Sequence, residues 1–463
     1  MTRSILEFPL EEPMITECNP EYNTETYTIQ VITPIFGGGV MPGENDLGMV
    51  IRPSSIRGHL RFWWRATKGA KFDTAELLSV REDEIWGASD SPSPATIQIS
   101  QPNNGELRQR KASDNYGFQN KYGPESYVLF PARESKSSIC KEGFSFQLKI
   151  NWLKHERLQH LRDLENAVLR KEKKPPKAEK IEDIGPDIEA AIWAWTNFGG
   201  IGSRTRRGCG ALFCRDTAPQ DRGSIGKWYE DHLKGFGKWK QRAWPTLPSK
   251  ILIGSTEGKP LDEWPKAIEI MRTFRQGVGV GRNPGSSSTS KMPGRSRWPE
   301  PETIRKLSGD RLRKHGRFNR PEDYHPEDAF PRAELGLPIV FHFKDGRKEE
   351  DRKIADRDPP ESELCPTGSM RMGSPIILRP IAFGDGRNGV PLILRLNTEQ
   401  LNQVELKVKR VVIGSAGLKG IRDPKLSTYR SSPMTGRSTS GSALEAFIAF
   451  AMEKKQGFVE VGL

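Results

Sequence analysis

The run Asn197–Gly210 reads Asn-Phe-Gly-Gly-Ile-Gly-Ser-Arg-Thr-Arg-Arg-Gly-Cys-Gly. It sets Gly199, Gly200, Gly202, Gly208 and Gly210 around Ser203, Arg204, Thr205, Arg206 and Arg207. Glycine permits positive φ and close backbone approach, so amide N–H groups of such a loop reach phosphate oxygens while guanidiniums supply forked, permanently charged donors. The chemistry this predicts is non-covalent capture of a polyanion. A tight helix-to-strand turn with solvated arginines is the alternative.

A second basic stretch, Ile51-Arg-Pro-Ser-Ser-Ile-Arg-Gly-His-Leu-Arg-Phe-Trp-Trp-Arg65, has helical spacing. Ser54 or Ser55 is placed to cap it. Ile56, Leu60, Trp63 and Thr67 then form a buried stripe, while Arg57, Arg61, Arg65 and Lys68 fall on another. Four bases without an acid exceed what solubility asks, where mixed signs serve better. RNA or a partner's acidic surface is the expected counterpart. Gly58 costs about 1 kcal/mol against alanine inside a helix, which points to close packing or close backbone approach.

His59 sits at the edge of the packed stripe and is the best lone candidate for acid–base chemistry. A single histidine on a half-buried face is more often structural. No paired carboxylates or His/Cys cluster point to a metal, and no cofactor is expected. The five cysteines are scattered without a CxxC pair, which predicts neither a zinc cage nor a disulfide framework and fits a reducing cytoplasm. Lys plus Arg number 72 against 59 acids, a formal charge of +13 that implies an acidic partner, nucleic acid first. No uncharged apolar run reaches membrane-spanning length, so a soluble cytoplasmic protein is expected.

The elements that must position these loops follow from periodicity. Residues 25–33, 95–100 and 144–152 alternate as strands. Pro186 opens a helix carrying Ile188, Ile192 and Trp195 on one face and leading into the glycine–arginine loop, and 210–214 follow as a strand. With the basic helix the order is strand, helix, strand, strand, helix, strand, a ferredoxin-like βαββαβ pattern shared with RRM-type RNA binders. Phe36-Gly37-Gly38-Gly39 forms an irregular loop able to lie against a ligand backbone, or an ordinary glycine turn. Residues 156–180 read as a charged helix. Residues 217–248 lack periodicity and read as a linker.

In the second half, 251–253, 337–343, 375–383, 390–396 and the segment from Phe458 read as strands, with helices at 264–275 and after Ser442, a second α+β unit. Gln276-Gly-Val-Gly-Val-Gly-Arg282 follows a helix instead of opening one, so a dinucleotide site is not expected. From Arg282 to Arg320 there are eleven Lys or Arg residues, with Trp298 and Phe318 interleaved. That is the composition of a stacking surface for unpaired bases, or of a solvated loop. Residues 414–441 form a further glycine- and serine-rich basic segment.

Several blocks together resemble the RAMP superfamily of CRISPR-associated RNA-binding proteins, and within it the family of the first-numbered subunit of type III-B (Cmr) effector complexes. They are Thr33-Pro34-Ile35-Phe36-Gly37-Gly38, the Ile51–Arg65 stretch, Phe198–Gly208, Arg295-Ser296-Arg297-Trp298-Pro299-Glu300-Pro301, Phe330-Pro331-Arg332-Ala333 and Met372-Gly373-Ser374-Pro375. The resemblance implies two ferredoxin-like domains with long insertions. The expected division is 1–216, a linker at 217–246, and 247–463 with a basic insertion at 282–332. It also implies a non-catalytic subunit binding guide RNA and target RNA near the guide's 3′ end, beside other Cmr-complex subunits and away from any membrane. The expected RNA-binding residues are Phe36, Gly37, Gly38, Arg52, Ser54, Ser55, Arg57, Arg61, Arg65, Gly202, Ser203, Arg204, Thr205, Arg206, Arg207, Arg295 and Trp298. The alternative is a stand-alone, metal-independent endoribonuclease that processes guide RNA with His59.

Overall fold

A computed structural model describes residues 21–40, 44–46, 49–100, 109–111, 127–129, 138–236, 242–285, 291, 293–296, 298–307, 330–343, 361–399, 401, 403–408, 411–417 and 442–462. The architecture is α+β with antiparallel sheets. In the first half β1 (Tyr22–Val31), α1 (Pro53–Ala66), α2 (Ala75–Trp86), β2 (Ala95–Ser100), β3 (Ser145–Leu153), α3 (His155–Lys171), α4 (Gly185–Phe198) and β4 (Leu212–Cys214) follow one another. Their strands form one sheet in the order β2-β3-β1-β4, every neighbour antiparallel.

The second half repeats this arrangement. After α5 (Ile225–Lys234) come β5 (Lys250–Gly254), α6 (Pro260–Gln276), β6 (Ile376–Phe383), β7 (Asn388–Arg395), α7 (Ala443–Ala451) and β8 (Phe458–Gly462). The sheet order β6-β7-β5-β8 has the same permutation, again antiparallel throughout. Four short strands, Ile339–Phe341, Ser362–Pro366, Gln403–Val408 and Val411–Gly417, form a separate sheet from segments flanking β6 and β7, over its own small core around Phe330, Leu364 and Leu406.

The two units share a core. Alternate residues of a strand face opposite sides of its sheet. Ile377 and Ile381 of β6, with Leu392 and Leu394 of β7, pack into the cluster that holds α1 and α4, whereas Ile376, Leu378 and Ile393 pack with Trp264, Ile268 and Met271 of α6. This burial on both sides explains why β6 is buried along its whole length and apolar at every position but Arg379. It also explains α4, which is buried at every position but Pro186 and Glu189 and touches β4 of the first sheet and β6 of the second.

Several expectations are corrected. Helix α1 starts at Pro53, with Arg52 as an N-cap that makes no side-chain cap bond, while Ser54 and Ser55 lie exposed. Proline's fixed φ suits the first turn, so no serine cap is used. The charged helix α3 stops at Lys171, ahead of Pro175-Pro176, where the backbone is biased away from helix. Residues 217–248 contain a helix after all: Ile225, Tyr229 and Leu233 recur at helical spacing and are buried. Residues Ala75–Trp86, for which the sequence suggested no element, form helix α2, capped by the Thr74 hydroxyl, which accepts from Leu77 N at 3.3 Å. Most of 101–143, the stretches 286–290 and 308–329, and 418–441 with their candidate cations lie outside the described residues, as do Arg297, Phe318 and the side chain of Arg295.

Candidate nucleic-acid interface

Two glycine-rich loops meet. Ser203 N donates to Phe36 O at 2.7 Å, and Gly210 N donates to Pro34 O at 2.8 Å. Thr33 Oγ1 donates to Gly208 O at 2.6 Å and accepts from Ala211 N at 2.7 Å. Gly202 has φ +83°, and a Cβ there would lie 2.8 Å from Phe36 O, so only glycine lets the strands close this far. Phe36 and Gly37 are buried beneath the junction. Gly38 and Ser203 stand exposed at its rim, with Gly202 partly exposed, so the rim is walled by backbone.

The three arginines of the loop turn inward to the chain itself. Arg204, in a left-handed conformation with φ +60°, donates from Nη1 to Val128 O at 2.8 Å. Arg206 donates to Ser374 O, lies over the Phe62 ring at 5.7 Å from its centroid, and packs on Gly373. Arg207 O accepts from Trp264 Nε1 at 2.7 Å. A Cβ on Gly208 would come within 2.6 Å of Leu378 O and of Trp264, so this glycine lets the loop dock on the second unit. Burial pushes the pKa of all three guanidiniums down. Thr205 is partly exposed between them.

Helix α1 buries Ile56, Leu60, Trp63 and Trp64, each worth about 1.5–3 kcal/mol or more of apolar burial. Trp64 Nε1 donates to Asp187 Oδ1 at 2.7 Å, and Arg81 reaches the other carboxylate oxygen at 2.5 Å, which ties α1, α2 and α4 together. The cationic stripe is not free of acid. Buried Glu82 of α2 accepts from Arg61 Nε at 2.5 Å and from Arg65 Nε and Nη2 at 2.5 Å. Burial pushes the Glu82 carboxyl up, and Arg65 and Arg61 outweigh it, holding it below the usual carboxylate range. The acid sits on another helix, so α1's own periodicity did not reveal it.

Arg57 makes a long contact of 3.4 Å to Ala95 O and, with Arg61, lines an open groove of about 420 Å³ whose other wall is Gly87-Ala88-Ser89 and Ser91-Pro92-Ser93, with Asp83 at its edge. The Ser89–Ser93 wall was not among the expected residues; a serine-rich turn after a helix was its signal. Arg52 pairs with Asp46 at 3.1 Å. Gly58 is exposed and a Cβ would meet nothing within 4 Å among the described residues, so the close packing expected there is not found among them.

Trp298 is 3% exposed, edge-on to Phe274, and its Nε1 donates to Arg275 O at 3.1 Å. It is a core residue in this conformation instead of a stacking platform. His59 lies against Trp195, centroids 6.3 Å apart, and burial pushes its pKa down. Among the described residues no group of three or more His, Cys, Asp or Glu could hold a metal, and no helix is long and apolar enough to cross a membrane.

The segment bearing these loops has relatives. Residues 28–213 match the RAMP superfamily. A curated relative, the CRISPR system Cmr subunit Cmr1-2 of Pyrococcus furiosus, is 23% identical over 204 residues, 40% of this chain and 92% of that protein. The crystal structure of Cmr1 from Pyrococcus furiosus in its apo form aligns over 81% of this chain and 89% of that one, at 15% identity and a TM-score of 0.44. A cryo-EM structure of the type III-B Cmr-beta complex bound to cognate target RNA has a chain that aligns over 83% of this one and 95% of its own length, at 11% identity and a TM-score of 0.41. The glycine–arginine loop, just before the last strand of the first sheet, lies inside the segment that matches the RAMP superfamily.

Proposed function

We propose that the chain is a non-catalytic RNA-binding subunit of a type III-B (Cmr) CRISPR ribonucleoprotein, contacting guide and target RNA near the guide's 3′ end and aiding target capture beside other Cmr subunits. Both units are read as ferredoxin-like domains, 1–216 and 247–463, from the shared β2-β3-β1-β4 and β6-β7-β5-β8 permutation. The observation that carries the RNA reading is the rim formed by Gly38, Gly202 and Ser203. There two glycine loops leave backbone uncovered by side chains, the surface a phosphodiester chain approaches most closely. The Arg57 groove supplies sequence-independent positive charge on the same unit.

Fluorescence anisotropy with a labelled single-stranded RNA tests this. Binding that falls steeply with salt and is lost in Ser203→Glu is the expected result; RNA affinity unchanged in that folded variant would remove the rim from the site. The reading contains no chemical step, so discrete cleavage of repeat RNA by the chain alone, lost in His59→Ala, would replace it with the nuclease alternative.

A further inference from the structure

Beneath the glycine–arginine loop, positive charge gathers where water has little access. Arg207 Nη1 is shielded from solvent and has no hydrogen-bond partner among the described residues. Arg275, in the last turn of α6, donates from Nη1 to Tyr127 Oη at 2.9 Å, while its Nε is shielded and unpartnered. Arg332 lies over Trp298 at 5.8 Å and Phe341 at 5.3 Å and pairs with the buried Glu300 carboxylate at 3.1 Å. All three act on the same phenol: burial pushes Tyr127 up, and Arg275, Arg207 and Arg332 outweigh it. Glu300 is the carboxylate that pairs with Arg332, and no carboxylate stands among the main influences on Arg207.

A guanidinium withdrawn from water is disfavoured unless acceptors or counter-charge satisfy it. Here Arg207 Nη1 and Arg275 Nε offer unused donors, and Tyr127, which accepts from Arg275, keeps its O–H free to donate. Unused donors within a cluster of buried guanidiniums suit a tetrahedral oxyanion, which several forked guanidiniums bind together. We propose that Arg207, Arg275 and Arg332, with Tyr127, form an oxyanion site for a phosphate group at the junction of the two units. It stands apart from the Gly38–Ser203 rim and enlists residues of α6 and of the turn Pro331–Leu335. The phosphate comes either from RNA backbone or from free phosphate.

The test is ³¹P NMR of inorganic phosphate titrated with the full chain at fixed ionic strength in chloride. Saturable line broadening is expected, weakened at least tenfold in Arg275→Gln and in Arg332→Gln, with circular dichroism verifying their folds. Should those variants not fold, Tyr127→Phe takes their place, with a threefold or greater weakening expected. Broadening relieved by a single-stranded RNA oligonucleotide identifies a phosphodiester as the occupant; broadening that persists beside saturating RNA identifies free phosphate. No saturable broadening by the native chain, or broadening undiminished in the folded variants, overturns the site. Loss of RNA binding with phosphate broadening intact would sink the functional reading alone.

Discussion

Arg379, fully buried in β6, closes the C-terminal end of α4: its Nη1 donates to Gly199 O at 2.5 Å. Its Nη2 reaches Leu212 O at 2.6 Å and Thr196 O at 3.2 Å, and its Nε reaches Pro380 O at 3.0 Å. One side chain of the second unit thus satisfies carbonyls at the end of a helix, at the start of the glycine–arginine loop and in β4. Helix C-termini leave carbonyls orphaned and bear partial negative charge, which a buried cation answers. Arg379→Ala strips four acceptors of their donor, and a loss of about 3–5 kcal/mol is expected. Urea denaturation checks this; a loss below about 1 kcal/mol would mean that water replaces the guanidinium.

That relationship marks the limit of what the sequence can show. The strands of both units and helices α1, α3, α4, α6 and α7 were legible because alternation and 3.6-residue periodicity report one element's own faces, whereas α2 and α5 were not. So was the stripe Ile56, Leu60, Trp63 and Thr67, all buried. The partners of the arginines were not. Arg206 meets Ser374 and Arg379 meets Gly199 across more than 160 residues, and such pairs leave no local spacing to read. The arginine-dense loop therefore looked like an open polyanion cradle, while the Arg206 guanidinium and the Arg207 carbonyl tie it to the second unit and its exposed residue is Ser203, beside Gly38.

Glu82 supplies a pH dependence. Its folded pKa lies below the ordinary value of 4.5, because Arg65 and Arg61 outweigh the cost of burial. A depressed carboxylate contributes stability that is present above the unfolded value and lost as pH falls through the folded one. The native chain should exceed Glu82→Gln by about 1–2 kcal/mol at neutral pH, discounted because both arginines are about a third exposed. The two should converge in acid. Denaturation midpoints taken across the acid range decide it, and a gap that stays constant would exclude the ion pair as its source.

Gly58 gives a test of approach by a partner. Its Cβ position is open and its helix is regular, so Gly58→Ala should stabilise the chain by about 0.5–1 kcal/mol. If RNA or a neighbouring subunit lies against that backbone, the same substitution weakens association. Thermal denaturation and anisotropy on one preparation read both effects, and destabilisation would show that the methyl has a neighbour within the chain.

The arginines themselves should separate into two kinds. Arg57 makes one long contact and borders an open groove, so Arg57→Ala should leave the thermal midpoint nearly unchanged while lowering RNA affinity for every sequence. Its log–log salt slope should fall by about one unit, as one lost phosphate contact requires. Arg206 is held by Ser374 O, the Phe62 ring and Gly373, so Arg206→Ala should lower the midpoint by several degrees and leave the slope as it was. Measuring midpoint and slope for both variants sorts phosphate contacts from internal struts. A slope change in Arg206→Ala without loss of stability would return that residue to the RNA surface, and with it the view that the loop grips the polyanion through its arginines.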